Sequence, residues 1–426
     1  MQRMSTSSTP VHVPEIRVCI VAEHASLRFG GEASLPLQYF SRLRARGIEA
    51  WLVIHSRTRA EIESLLPSER DRILYVPDRW IHKLIARWSA RLPNRLNGAT
   101  LSVTKVLITQ LSQRRMIAEL ISAQGVNLVH QPIPVSPKTP SFINGLGVPV
   151  IIGPMNGGME YPPAFRGDES VLTRAAVAVG RASSGLVNRF IGGKTHARVL
   201  LVANERTRRA LPNRRKGRVV EVAENGVDLE LWRTLDEESP ARAWARFVFI
   251  GRLVDWKRLD LVLRALAEIP NAELEVIGDG VMRAPWTALA RELKIADRIR
   301  WLGWLSQPEC ARRLDGATAL VLPSIYECGG AVVLEAMACA VPVIAVAWGG
   351  PLDYIDESCG ILVLPSSPES IIRGFVDAAK KLMADASLCA QLGAAGRRRV
   401  EDLFDWNKKI DRILDIYREA LAESHA

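Results

Sequence analysis

Short apolar runs rich in β-branched residues alternate with longer amphipathic stretches along most of this chain. RVCIVAEH (17–24) is the first such run. A glycine-containing loop, LRFGGEAS, follows it, and then a helical pattern, LPLQYFSRLRARG. EAWLVIHS (49–56), VNLVHQP (126–132), PVIIGPMNGG (149–158) and the start of HARVLLVANERTRRAL (196–211) repeat the strand pattern. Strands separated by helical stretches predict a parallel α/β sheet.

The pattern breaks at RRKGRVVEVAENGVDLELW (214–232), which is polar and turn-rich with one short strand. We read it as a passage between domains. A fresh series then starts at RFVFIGRL (246–253). It continues through the helix RLDLVLRALAEI, the strand AELEVIGDG (272–280) and the helix APWTALARELKI. RIRWLGW (298–304), ALVLPS (319–324) and PVIAVAWGG (342–350) follow as strands, and FDWNKKIDRILDIYREAL (404–421) is a closing helix. The expected division is a polar, disordered tail at 1–14, a first domain at 15–213, a second at 214–403, and a helix at 404–426 packing back on the first. Two doubly wound Rossmann-like domains result. Ligands bind beyond the carboxyl ends of such strands, so the expected site is an inter-domain cleft.

Composition narrows the classes. The 426 residues exceed one typical domain, and the 24% charged fraction is that of an ordinary globular protein. No apolar run reaches the roughly 20 residues of a membrane helix, and the first 15 residues lack the apolar core of a secretory leader. The six cysteines include no CxxC pair and no zinc spacing, which favours reduced thiols in a cytoplasmic protein. Residues 1–250 carry a charge excess of +14, and residues 251–426 one of −4. A basic first half suits nucleic acid, an anionic membrane or a phosphorylated substrate.

Candidate chemistry gathers where strands of the second series end. Arg252 follows FVFIG, and Lys257 opens the next helix. Gly278, Asp279 and Gly280 follow the next strand. Glu327 and the Gly329–Gly330 pair follow LVLPS and open the helix AVVLEAMA, which contains Glu335. The free N–H groups of a helix start favour an anion, and paired glycines let it approach. Two cations beside that start suit a diphosphate. Glu335 lies about 6 Å along the helix, at ~1.5 Å per residue. An anion at the start would thus have a carboxylate on either side. Carboxylates accept from hydroxyls, and hydroxyls flanking a diphosphate describe a nucleotide sugar.

Glu327-x7-Glu335 resembles the E-x7-E motif of retaining GT-B glycosyltransferases, specifically glycosyltransferase family 4. FIGRLVDWKRLDLVLRAL resembles that family's G-R-x4-K segment, and VIGDG, ENGVD, GGPLDYI, CGILVLP and the closing FDW helix are similar in order and spacing. The resemblance implies a GT-B fold and a set of roles. Arg252 and Lys257 would hold the diphosphate. Glu327, Gly329 and Gly330 would bind the donor sugar and its phosphate, with Gly278 close by, and Glu335 would bind the ribose. Gly30 and Gly31 match a first-domain glycine loop that closes over the phosphate. His130, in HQPIPVSP, would lie beside the transferred sugar as a catalytic residue with Glu327. Asn156 and Glu160, in and after GPMNGG, would face the acceptor. The base would sit near Gly303 and Trp304.

The resemblance further implies transfer with retention, in which the leaving phosphate helps deprotonate the acceptor hydroxyl. The protein then supplies positioning and charge stabilisation. No cofactor or metal is implied, and the Asp-x-Asp of metal-dependent relatives is absent. The expected reaction moves a hexose from a nucleotide-diphosphate sugar to a glycan or lipid-linked glycan, in cell-envelope or exopolysaccharide assembly. The sequence departs from the pattern at ECGG (327–330), where EGFG is common, at Arg258, where glycine is common, and at Asp353, where glutamate is common. These changes bear on the identity of the donor sugar.

Other readings remain beside this one. A nucleotide-sugar epimerase of the same fold would carry the same donor site, and a non-catalytic binder of nucleotide sugar or nucleic acid would carry the basic half. Taken singly, Glu335 also suits a structural ion pair, and His130 a satisfied core histidine. His24 and Glu32, which flank the first glycine loop, suit either role. GGKTHA (192–197) resembles a P-loop ending, but Asn188 stands where that motif needs glycine, which leaves an ordinary loop. In DRWIHKLIARWSARLP (78–93), Arg79, Lys83, Arg87 and Arg91 form a basic stripe beside Trp80, Leu84, Trp88 and Leu92. That pattern fits a helix packed on its own domain or one lying on an anionic membrane at the cytoplasmic face.

Overall fold

A computed structural model describes residues 15–28, 30–78, 101–168, 188, 190–234 and 244–425. The tail expected at 1–14 and the helix expected at 78–92, except Asp78, lie outside these residues. No described helix is long and apolar enough to cross a membrane. The chain divides into two units. One comprises Met1–Met155, Leu172–Val222 and Ile410–Ala426, and the other Asn156–Val171 and Ala223–Lys409.

The first unit holds a seven-stranded parallel sheet. Its strands are β1 (Arg17–Val21), β2 (Glu49–His55), β3 (Ile73–Val76), β4 (Leu128–Gln131), β5 (Val150–Met155), β6 (Val199–Val202) and β7 (Arg218–Glu221), in the order β3-β2-β1-β4-β5-β6-β7. Consecutive buried residues along β1 and β4 reflect a sheet covered on both faces. Near its end, the closing helix (Trp406–His425) is tied to β7 of this unit, since Arg218 pairs with Glu419 at 2.6 Å and Glu423 at 3.3 Å.

The second unit holds a six-stranded parallel sheet of β8 (Ala245–Ile250), β9 (Ala272–Ile277), β10 (Ile299–Gly303), β11 (Ala319–Leu322), β12 (Val343–Val346) and β13 (Gly360–Val363), ordered β10-β9-β8-β11-β12-β13. Successive side chains serve opposite faces. Phe247 and Phe249 join one core with Val321 and Ile344. Val248 joins the other with Leu320 and Val343. The predicted strands of both series are all present, and each sheet adds an edge strand: β3 and β13.

Two boundaries differ from the expected ones. The first unit runs to Val222 and not 213, because Arg218–Glu221 pairs with β6 from Val199↔Arg218 onward. Residues 156–171, expected in the first domain, belong to the second unit. Phe165 is the anchor there, fully buried in the core that contains Phe247 and Leu259.

Candidate functional site

In the second sheet the strand order reverses between β8 and β11. Loops that leave the carboxyl ends on either side of such a point diverge and leave room for a ligand. Arg252 and Lys257 follow β8, and Glu327, Gly329 and Gly330 follow β11. The loops beside them are tightly packed. Gly278 follows β9 with φ 125°, and a Cβ there would lie 2.0 Å from the Gly251 carbonyl oxygen. Only glycine fits, and this close approach sets the loop that carries Arg252.

Lys257 ends a 3-10 turn (Asp255–Lys257) and donates to the Glu327 carboxylate. The two β loops on either side of the switch point are thereby joined by an ion pair. An ammonium has three donors, so Lys257 keeps two for other acceptors. Arg252 is exposed, and its side chain makes no hydrogen bond or ion pair among the described residues. Gly330, with φ 77°, precedes the helix Ala331–Ala338, whose first N–H groups open beside Glu327.

Glu335 is half-buried on that helix. Its carboxylate makes no hydrogen bond or ion pair among the described residues. Burial pushes its pKa up to about 7. It stands near the thiols of Cys310 and Cys339, both pushed up to about 12 by burial first and by the Glu335 charge second. The structural ion pair that the sequence left open for Glu335 is therefore not formed. A half-buried acceptor without a partner is chemically ready for hydroxyl donors.

Asn156 and Glu160, expected on the acceptor side, both lie in the second unit. Asn156 is buried, and its side-chain amide donates to Glu224 Oε2 at 2.7 Å and to the Cys328 carbonyl at 2.8 Å. Both of its N–H bonds thus serve the protein's own loops. Glu160 is exposed and pairs with Arg166 at 3.1 Å, while its carbonyl accepts from Trp348 Nε1 at 2.7 Å. The loop Gly349–Pro351 closes on ECGG through the Gly350 N–H, which donates to the Glu327 carbonyl at 2.7 Å.

The departure at Arg258 has a visible compensation. Its φ is 48°, in the region that favours glycine. The guanidinium bonds both carboxylate oxygens of Asp260, at 3.1 and 3.0 Å, and lies over the Phe165 ring, 5.2 Å from its centroid. Trp304, after β10, is 60% exposed beside Gly303, which leaves an aromatic face open there.

In the first unit, Gly30 (φ 96°) caps the helix Gly31–Ala45. Glu32 is exposed in its first turn and accepts from the Val135 N–H at 3.1 Å. His130 requires a correction. It is fully buried, with Nδ1 2.6 Å from the Tyr417 hydroxyl and Nε2 2.6 Å from the Gly153 carbonyl. The rings of Tyr39 and Tyr417 meet its faces edge-on. A histidine with both nitrogens occupied and no exposed surface is a core histidine, so its assignment beside the transferred sugar is withdrawn. Lys194 of GGKTHA is also buried, donating to the Ser136 carbonyl at 2.6 Å, and burial lowers its pKa to about 7. That fits an internal lysine and not a phosphate loop.

Residues of ENGVD went unassigned in the sequence reading. Glu224 and Asn225 are both buried beneath Gly329, where a Cβ would lie 2.5 Å from Asn225 Nδ2 and 2.7 Å from Glu224 Oε2. Asn225 also donates to the Tyr354 hydroxyl at 3.0 Å. Their signal in the sequence was the ENGVD motif, which was noted for its resemblance without a role for either residue.

The chain is similar to known proteins in sequence and in fold. Residues 240–399 match the profile of the family described as "Glycosyl transferases group 1". A D-inositol 3-phosphate glycosyltransferase of Mycolicibacterium paratuberculosis is 32% identical over 222 residues, which cover 48% of each chain. The chain spans about half the length of the curated relatives it matches first. Among solved structures, sucrose-phosphate synthase from Thermosynechococcus elongatus superposes with TM-score 0.67 at 18% identity, covering 96% of this chain and 100% of that one. Anabaena Alr3699/HepE, in complex with UDP, gives 0.63 at 15% identity, covering 94% and 99%. Two Rossmann-like parallel sheets with such neighbours are the GT-B fold, and residues 240–399 are similar to the group 1 glycosyltransferases.

Proposed function

We propose that the protein transfers a hexose, with retention, from a nucleotide-diphosphate sugar to a glycan or lipid-linked glycan in cell-envelope or exopolysaccharide assembly. The observation that carries this reading is the Lys257–Glu327 pair at the opening of the helix that bears the unpartnered Glu335. The two spare donors of Lys257, the Arg252 guanidinium and the helix N–H groups receive the diphosphate. Glu335 receives the ribose hydroxyls, and Glu327 faces the hexose. Charge growing on the leaving phosphate is met by Arg252 and Lys257, so no metal is needed for that task. The departing phosphate oxygen takes the acceptor's proton, and no protein nucleophile takes part.

The solved UDP complex of Alr3699/HepE makes a uridine donor the first to try. The reaction belongs in the cytoplasm, where nucleotide sugars are supplied, with the acceptor presented at the membrane's inner face. The experiment is a panel of nucleotide sugars, with thermal stabilisation and nucleotide release measured with and without a lipid-linked glycan acceptor. A donor that binds raises the melting temperature by mass action. Acceptor-dependent release of the nucleoside diphosphate in chelator supports transfer. Acceptor-independent conversion of the sugar would return the epimerase reading, and no stabilisation by any donor would overturn the proposal.

A further inference from the structure

The segment Asn156–Val171 lies in the second unit although the chain reaches it directly from β5 of the first. Its polar contacts fall on the loops that carry the donor site. Asn156 holds the Cys328 carbonyl, in the middle of ECGG. Tyr161 stacks on Tyr326, with ring centroids 4.9 Å apart and planes at 26°. The Glu160 carbonyl takes the Trp348 indole N–H, next to Gly349 and Gly350. Behind these contacts Gly329 rests on Glu224, and Glu224 is itself bonded by Asn156.

We infer that Asn156 is a positioning residue that clamps the glycine loop of the donor site, and that it touches neither donor nor acceptor. The inference rests on the donor-site reading above. One amide nitrogen bridges the loop carbonyl in front and the Glu224 carboxylate behind, so the loop is held against a fixed wall. Cys328 stands where this chain breaks the family pattern, and a carbonyl held there fixes the N–H groups of Gly329 and Gly330 that follow. Losing Asn156 removes the hydrogen bond to that carbonyl and shifts the loop toward local opening.

The half-buried Cys328 thiol reports on loop opening without requiring activity. In Asn156→Ala, alkylation of Cys328 by iodoacetamide, mapped by peptide mass spectrometry, should accelerate about tenfold, the scale of one hydrogen bond in a local opening equilibrium. Cys389, also half-buried, is the internal control, and the fully buried Cys19 reports unfolding. If Asn156→Ala exposes Cys19, Asn156→Ser, which keeps one donor, replaces it. An unchanged Cys328 rate in a folded variant overturns the clamp. Where a donor has been found, kcat/KM should fall roughly 100-fold, as for a displaced reacting group, while affinity for free UDP stays within about threefold, because the Lys257 and Glu335 contacts remain. Equal loss of UDP affinity would make Asn156 part of the binding surface and overturn the inference. If the unaltered protein turns over no nucleotide sugar, the functional reading fails, and the thiol rates still judge the clamp.

Discussion

Lys257 and Glu327 are 70 positions apart in the chain and bonded side chain to side chain. The pair spans the point where the strand order of the second sheet reverses. Each partner stands where the proposed reading puts a diphosphate, and the ion pair ties their positions together. Replacing Lys257 with Ala removes the cation proposed to meet the phosphate and breaks the pair with Glu327. Turnover should fall by about 100- to 1,000-fold, the scale of one preorganised charge contact. Calorimetric affinity for UDP should fall with it, and an undiminished affinity would take Lys257 out of the phosphate site.

Glu335 has an ordinary pKa of 4.5 when exposed and about 7 in this fold. A raised carboxyl pKa means that folding favours the protonated form. The associated stability is complete below about pH 4.5 and is lost as pH rises through about 7. Glu335→Gln carries no such dependence. Its melting temperature should gain on the parent's between pH 4.5 and 7.5, by up to about 3 kcal/mol in stability. A gap that stays constant over that range would refute the burial argument. The same titration gives a functional sign: UDP affinity of the parent should rise as Glu335 ionises, and Glu335→Gln should lack that rise.

His130→Phe tests the corrected assignment. It leaves the Tyr417 hydroxyl and the Gly153 carbonyl without their partner. Unsatisfied buried groups cost about 1–3 kcal/mol each, so urea unfolding should shift markedly while kcat changes little. Loss of turnover at unchanged stability would restore a catalytic histidine.

Arg258 offers an ordering test. Arg258→Ala keeps the left-handed backbone and loses the Asp260 and Phe165 contacts, so it should destabilise by about 1–2 kcal/mol. Arg258→Gly loses the same contacts and relieves the backbone, so it should be the more stable of the two by about 1 kcal/mol. The reverse order, measured by denaturant unfolding, would contradict the compensation described here.

Much of the fold was legible because the cores are made by local alternation. RFVFI sends Phe247 and Phe249 to one side and Val248 to the other, and that periodicity is written in the residues themselves. The edge strands were harder to read. Ile73–Val76 follows the polar turn Pro67–Arg72, is four residues long and half-exposed in its centre. Arg218–Glu221 is partly exposed throughout. Of the candidate site, the places of Arg252, Lys257 and Glu327 after strands, and of Glu335 in the helix that follows, were readable in the sequence, and their roles are proposals. His130 was misread because strand-end histidines look alike in sequence, whatever lies 287 positions later to occupy them. The unit that Asn156 joins was not readable, because membership of a segment depends on a remote anchor, here Phe165, and not on its own composition.

The way Asn156–Val171 and Ile410–Ala426 are assigned has a practical consequence for anyone dividing this protein. Neither unit is one continuous stretch of chain. A clone of residues 223–409 would lack Phe165 from its core and the amide that holds Cys328, and a clone of residues 1–222 would lack the Tyr417 hydroxyl on His130. Cutting at the apparent linker would therefore yield two incomplete fragments, and coexpression of the halves would not restore the segments to their own polypeptides. Swapping donor domains between relatives would have to carry residues 156–171 across with the second unit for the graft to bring its own loop support.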